Sequence, residues 1–225
     1  MNPVNTTHTA APLPAEASAA SRVADDIRTM IVNGDLQPGA KLAEERMRAQ
    51  LEVSRSTLRE GLQLLVRERL VIHILSTGFF VRRLGRDDIA DLMTTREIIE
   101  CGALFAVPTV ASDGLSRVRA AVADGHRAAD LGHWQTVAAA SIAFHRGLVA
   151  LAGSPRLDAL IAQTLAEFRL AYGYMEDPLA FHVTYLQKHD TVVGLLQQNA
   201  PAAAAEYLRT YLADSRSDLL LRVPA

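Results

Sequence analysis

The chain has one cysteine, Cys101, in 225 residues, which excludes an intramolecular disulfide. Aromatic residues amount to 5%, and the Val-Thr-Tyr alternation that builds sheet is sparse. No apolar run reaches the length of a membrane span. The N-terminus has no positively charged stretch followed by an apolar one, so no secretory leader is expected either. There is no HExxH pair, no paired His–Asp motif and no glycine-rich phosphate loop. Cys101 falls inside a predicted helix without a companion base, which argues against nucleophilic catalysis. No internal repeat is visible. These absences predict a soluble, cytoplasmic protein that is not an enzyme.

What is present favours helix. Hydrophobic residues make up 49% of the chain, enough for a sizeable core, and Ala, Leu and Arg are abundant. The net charge of −2 hides an asymmetry. From Lys41 to Arg86 there are ten Lys or Arg against five Glu, so this stretch carries +5 and the remainder −7. A basic segment in an acidic chain suggests one face for phosphates and another part for a different task.

Residues 1 to about 20 are rich in Ala, Pro, Thr and Ser without an apolar period, which predicts a disordered tail. Order begins with the stripe Val23, Ile27, Met30 and Ile31, and Gly34 is its stop. After a Pro38-Gly39 turn, a second helix is expected from about Ala43 to Leu51 and a third from about Ser54 to Arg69. The short link between them has the length of a helix-turn-helix. Two β-prone runs follow, Leu70 to Ile74 and Phe79 to Val81, separated by Leu75-Ser76-Thr77-Gly78. Three helices and a β-hairpin make a winged helix over residues 21–84. From Asp87 to about residue 222 nearly everything reads as helix, in segments of about 87–111, 113–131, 133–151, 155–175, 179–198 and 200–222, with Pro108 kinking or ending the first. The fold class is therefore mainly α, an N-terminal winged helix-turn-helix followed by an antiparallel bundle of about six helices.

Ser54-Arg55-Ser56-Thr57-Leu58-Arg59-Glu60 carries the sharpest functional signal. With Leu58 and Leu62 facing the core, Arg55, Ser56 and Arg59 project outward near the helix N-terminus, the end that meets base edges in the major groove. Arginine can bond O6 and N7 of guanine together. Ser56, Thr57 and the free N–H groups suit phosphate oxygens. Arg46 adds a phosphate or groove contact.

Residues 22–83 resemble the GntR family of regulators, on Gly34-Asp35-Leu36-Gln37-Pro38-Gly39, Leu42-Ala43-Glu44-Glu45, Val53 through Glu60, and Gly78-Phe79-Phe80-Val81. The resemblance implies that Arg46, Arg55 and Arg59 contact DNA and that the wing tip near Gly78 enters the minor groove. One winged helix buries too little surface for specific binding on its own, which predicts a homodimer, and two-fold symmetry then implies a double-stranded, pseudo-palindromic operator. Three positions depart from the pattern: Ala43 replaces a capping Ser, Arg69 a Gly, and Ile74-Leu75-Ser76-Thr77 a more basic wing.

In the second domain, helical phase turns several polar residues inward. Arg96 shares a stripe with Leu92, Ile99 and Ala103; its partner is either Glu100, one turn on, or a bound carboxylate, with the carboxylate favoured. His145 lies on the stripe of Trp134, Ala138, Ser141 and Leu148. His189 lies with His182, Leu186, Val193 and Leu196, and Tyr211 lies with Ala204 and Leu208. An inward histidine is more often a satisfied core residue than a ligand, but two from separate helices point to a shared site. Residues 87–215 resemble the helical ligand-binding (FCD-type) domain of the FadR subfamily, on Arg96-Glu97-Ile98-Ile99-Glu100, Phe144-His145-Arg146-Gly147-Leu148, Gly153 through Leu157, and His189. In many members an Asp and three histidines hold a divalent metal that an organic acid completes. Here Ser141 takes the Asp position, His145 and His189 match, and Tyr211 takes the last His. The favoured reading is a small organic acid bound directly by Arg96, Ser141, His145, His189 and Tyr211. A zinc-like ion on His145 and His189 is the alternative. At the level of function, the alternatives are an all-helical metal-dependent enzyme and an interaction module without DNA binding.

Overall fold

The computed structural model describes residues 18–175 and 177–223. Most of the expected disordered tail lies outside these residues. Helix α1 spans Ala19–Asn33, starting before the Val23 stripe. Ser18 caps it by accepting from the Ser21 N–H, and Ala20 extends its buried face. Gly34 ends it at φ 84°, a left-handed conformation open to glycine without strain.

Strand β1 (Lys41–Leu42), helix α2 (Glu44–Leu51), helix α3 (Arg55–Arg67) and strands β2 (Val71–Ile74) and β3 (Gly78–Val81) complete the first domain. The expected hairpin is there, with Val71 opposite Val81 and Ile74 opposite Gly78. It is extended to a three-stranded antiparallel sheet in the order β1-β3-β2, Lys41 facing Phe80. Two residues are too few to show alternation, so β1 has no signature in the sequence. Leu58, Leu62 and Leu65 of α3 close over Ile27, Ile31, Phe79 and Val81, all buried. Gly61 lets α3 cross α1 closely, since a Cβ there would lie 2.6 Å from Val23 Cγ1. Arg28 and Glu68 tie the same two helices through paired bonds of 2.8 and 2.7 Å. Two of the three departures from the family pattern are visible in the backbone. Ala43 precedes α2 without any side-chain cap, and Arg69 sits at φ 60° in the turn into β2.

The second domain contains α4 (Arg86–Phe105), α5 (Ser112–Asp130), α6 (Trp134–Ala150), α7 (Pro155–Phe168), α8 (Pro178–Gln197) and α9 (Pro201–Arg222). Helix α4 ends at Phe105, so Pro108 closes this segment and does not kink it, because the residue preceding a proline is pushed out of the helical region. One segment corrects the sequence reading. The helix expected over 155–175 is α-helical only to Phe168, and Arg169–Tyr174 tighten into a 3₁₀ turn. The tightening coincides with contacts to the first domain: a Cβ on Gly173 would lie 2.7 Å from Pro38 Cγ. Helix α1 packs on α6, on α7 and on this turn, so the two domains share an interface.

Candidate nucleic-acid interface and buried polar site

Ser54 caps α3 by accepting from the Thr57 N–H at 3.1 Å. Its hydroxyl also meets those of Ser56 at 2.9 Å and Thr57 at 2.8 Å. Three hydroxyls and the free N–H groups of a helix start thus cluster where an anion is favoured. Arg55 and Arg59 leave the same end, 75% and 48% exposed. Arg46 is exposed on α2. Arg55, Arg48, Glu44, Lys41, Thr77 and Gly78 line one concave surface between the helices and the wing.

Two residues of this surface escape sequence reasoning. Lys41 comes beside the wing tip through β1: a Cβ on Gly78 would lie 3.9 Å from its Cε. It brings a positive charge to a turn whose own residues have none. Glu44 Oε2 stands 3.7 Å from Arg55 Nε and 3.6 Å from Arg59 Nε. It makes no hydrogen bond, so it holds both arginines by charge alone while repelling phosphate. Glu44→Gln is expected to tighten binding to unrelated duplex about 3- to 10-fold and to steepen its salt dependence, lowering discrimination between sites. Unchanged affinity for unrelated duplex across a salt titration would contradict this role.

The inward polar residues of the second domain form one buried chain. Arg96 is 2% exposed and Glu100 fully buried, and Arg96 Nε donates to Glu100 Oε1 at 2.8 Å. The two partners considered for Arg96 are not exclusive. Glu100 takes the Nε edge, and Nη2 is left with no hydrogen-bond partner. Burial alone would raise the Glu100 carboxyl, but Arg96 and His145 hold it at about 2. Glu100 is therefore ionised, can only accept, and receives the proton of His145 Nδ1 at 2.6 Å. Burial keeps His145 neutral against the pull of Glu100, so its Nε2 is a bare acceptor and takes the hydroxyl of Tyr211. Burial also keeps the Tyr211 phenol protonated. Its oxygen in turn accepts from His189 Nε2 at 2.9 Å. That tautomer leaves His189 Nδ1 as a lone pair without a partner. Ser141 lies beside Tyr172, where its side chain acts on the phenol against the effect of burial. Phe168 lies under the Arg96 guanidinium at 4.3 Å, and Phe144 stacks on His189 at 4.0 Å.

The structure thus brings Arg96, Ser141, His145, His189 and Tyr211 together. Glu100, which the sequence offers only as a counter-ion, is the hinge of the network. Tyr172 has no sequence signal, because its orientation follows from the 3₁₀ turn. Cys101 is buried, and burial together with Glu100 pushes its thiol up to about 12, which removes its nucleophilicity.

The metal implied by the resemblance fits this donor set poorly. The Nε2 atoms of both histidines converge on the Tyr211 oxygen. A protonated phenol and the Ser141 hydroxyl are weak ligands for a divalent ion at neutral pH. Among the described residues, no three His, Cys, Asp or Glu side chains are placed around a common metal position.

The buried imidazoles predict the acid response. His145, His189 and His182 all have lowered pKa values, His182 down to about 3 through burial and then Arg169. A lowered folded-state value means that stability is complete above the unfolded value and is lost as pH falls through it. Urea melts are expected to weaken from about pH 6.5 downward, by up to about 4 kcal/mol per pH unit if all three sites take part. His182→Phe should flatten that slope. A flat profile from pH 7.5 to 5.5 would contradict neutral buried histidines.

Comparison with known proteins places the architecture. Residues 19–81 match the model described as bacterial regulatory proteins, gntR family, and residues 91–214 match the FCD domain. A GntR crystal structure from Rhodococcus sp. RHA1 superposes with a TM-score of 0.86 at 35% identity, over 91% of this chain and 99% of its own. McbR/YncC of E. coli shares the fold, with a TM-score of 0.80 at 18% identity over 91% and 98% of the two chains. An uncharacterized HTH-type transcriptional regulator from an unstable DNA locus of Streptomyces ambofaciens is 35% identical over 129 residues, 56% of this chain and 53% of its own. The gluconate operon transcriptional repressor of Bacillus subtilis is 35% identical over 85 residues, 38% and 35% of the two chains. The alignments thus span about half the length of the former and about a third of the latter. With both of its domains matched in order, the chain belongs to the GntR family of bacterial regulatory proteins and carries an FCD domain behind its winged helix.

Proposed function

We propose that this protein is a sequence-specific DNA-binding transcriptional regulator, acting in the cytoplasm as a homodimer on a pseudo-palindromic operator. A small organic acid, bound directly by the buried polar chain, sets its operator affinity. Repression is the direction this reading takes, by analogy with the gluconate operon repressors.

The observation that carries the reading is one chain with two opposite placements of arginine. Arg55 and Arg59 stand exposed at the start of α3, where a major groove would be met. Arg96 is buried with Nη2 unsatisfied, where an anion would be gripped. His189 Nδ1 is an unsatisfied acceptor in the same chain. A complementary effector offers a carboxylate to Arg96 and a hydrogen-bond donor, such as a hydroxyl, to His189. The ligand set is then Arg96, Ser141, His145, His189 and Tyr211, without a bridging metal. A single winged helix buries too little surface for specific binding on its own. Helix α4 presents Ile98 and Phe105 to solvent, 70% and 53% exposed, which supports a second copy on that face.

Arg55→Ala and Arg59→Ala are each expected to weaken operator binding by about 1–3 kcal/mol in quantitative footprinting at fixed salt. Light scattering at micromolar protein should give the dimer mass. Unchanged affinity in both variants would refute the DNA site, and a monomer with and without operator would refute the two-fold arrangement.

A further inference from the structure

The 3₁₀ turn Arg169–Tyr174 faces both domains at once. Towards the DNA-binding domain, Arg169 Nε donates to the Val32 carbonyl at 2.6 Å, at the last turn of α1. Arg169 Nη2 lies so close to Gly34 that a Cβ there would come within 2.7 Å of it. Gly173 abuts Pro38, and the Tyr174 hydroxyl donates to the Leu84 carbonyl in the linker. Towards the buried polar chain, Tyr172 lies beside Ser141 and sets its ring edge-on to His182 at 4.5 Å. Phe168, directly before the turn, carries the Arg96 guanidinium. One residue further back, Glu167 reaches Arg82 of the first domain at 3.3 Å. Neighbouring side chains of one short segment therefore touch the buried polar chain on one side and the DNA-binding domain on the other.

Arg169 is what makes this contact more than adjacency. It is 4% exposed and, among the described residues, makes no ion pair with a carboxylate. The faces of Trp134 and Tyr172 flank it at 5.1 and 5.0 Å. Its compensation is the carbonyl end of α1, where a helix favours a cation. A buried guanidinium stripped of that partner is costly, so the end of α1 and the turn must move together. A 3₁₀ turn has poorer hydrogen-bond geometry than an α-helix and yields more readily to such a shift.

We propose that the Arg169–Tyr174 turn carries the state of the buried polar chain to the DNA-binding domain, with Arg169 as the positioning residue that sets the end of α1. The proposal deepens, and rests on, the reading of the buried chain as the effector site. Its test needs no effector. Tyr172→Phe removes only the hydroxyl beside Ser141 and Arg96 and so perturbs the chain from inside. The readout is amide hydrogen exchange in the full-length protein at Gly34, Asp35 and Leu36, whose N–H groups bond to the Ile31 and Met30 carbonyls.

Tyr172→Phe is expected to speed exchange at these amides about 3- to 10-fold in the native background. In Arg169→Met, where the amides already exchange fast, it should change nothing. If Arg169→Met does not fold, Tyr174→Phe replaces it, and the response should fall by at least about half. Acceleration confined to α6 and α8, or an equal response at Gly34–Leu36 in the severed backgrounds, overturns the proposal. Because no ligand is added, either result judges the turn alone, whereas the effector reading is judged by ligand binding.

Discussion

A guanidinium sealed inside a helical bundle persists only against a fixed opposite charge, and Glu100 supplies it to Arg96 one turn along α4. The order of the other protons follows from that ion pair. Because Glu100 is ionised, His145 must point its N–H at it; because His145 is neutral, its other nitrogen must accept from Tyr211; and Tyr211 must then accept from His189. Four side chains on four helices are set in orientation by one carboxylate. Removing Arg96 would strand Glu100, and removing Glu100 would release the imidazoles, so the chain acts as a unit rather than a sum of contacts. Among the described residues its two ends stay open, a donor on Arg96 and an acceptor on His189.

The same residue type serves the opposite purpose forty residues earlier. Arg55 and Arg59 remain hydrated, cost the fold little, and are held ready by Glu44 at a distance too long for a hydrogen bond. Arg169 stands between these cases, buried like Arg96 but compensated by backbone from the other domain. The family architecture of a DNA reader joined to a ligand binder thus has, in this chain, a physical joint made of few residues.

The parts legible in the sequence are those whose cause is local. The Ser54 cap, the Leu58-Leu62-Leu65 face, the Gly34 stop and the β2–β3 hairpin follow from capping, period and turn chemistry, and all are present. The inward phase of Arg96, His145, His189 and Tyr211 is legible for the same reason, since a single helix determines which face each occupies. What is hidden depends on chain segments far apart. Strand β1 exists only because β3 lies beside it, so Lys41 gives no warning of its place at the wing. Glu44 reads as a helix-start acid, and only the packing of α2 on α3 brings it between two arginines. The break of α7 into a 3₁₀ turn has no local cause at all, and it alone decides where Phe168, Arg169 and Tyr172 point. The metal question shows the limit from the other side. Position along the helices matches a ligand set, while the Ser141 hydroxyl and the protonated Tyr211 phenol are weak ligands for a divalent ion.

Native mass spectrometry of freshly purified protein tests the central claim most directly, because it weighs whatever occupies the buried chain. The account predicts a small organic acid on the wild-type chain, retained after chelator treatment and lost from Arg96→Met protein whose helical content is unchanged. One tightly held divalent ion per chain, removed by chelator and absent from His145→Ala, would contradict direct binding and restore a metal-bridged site.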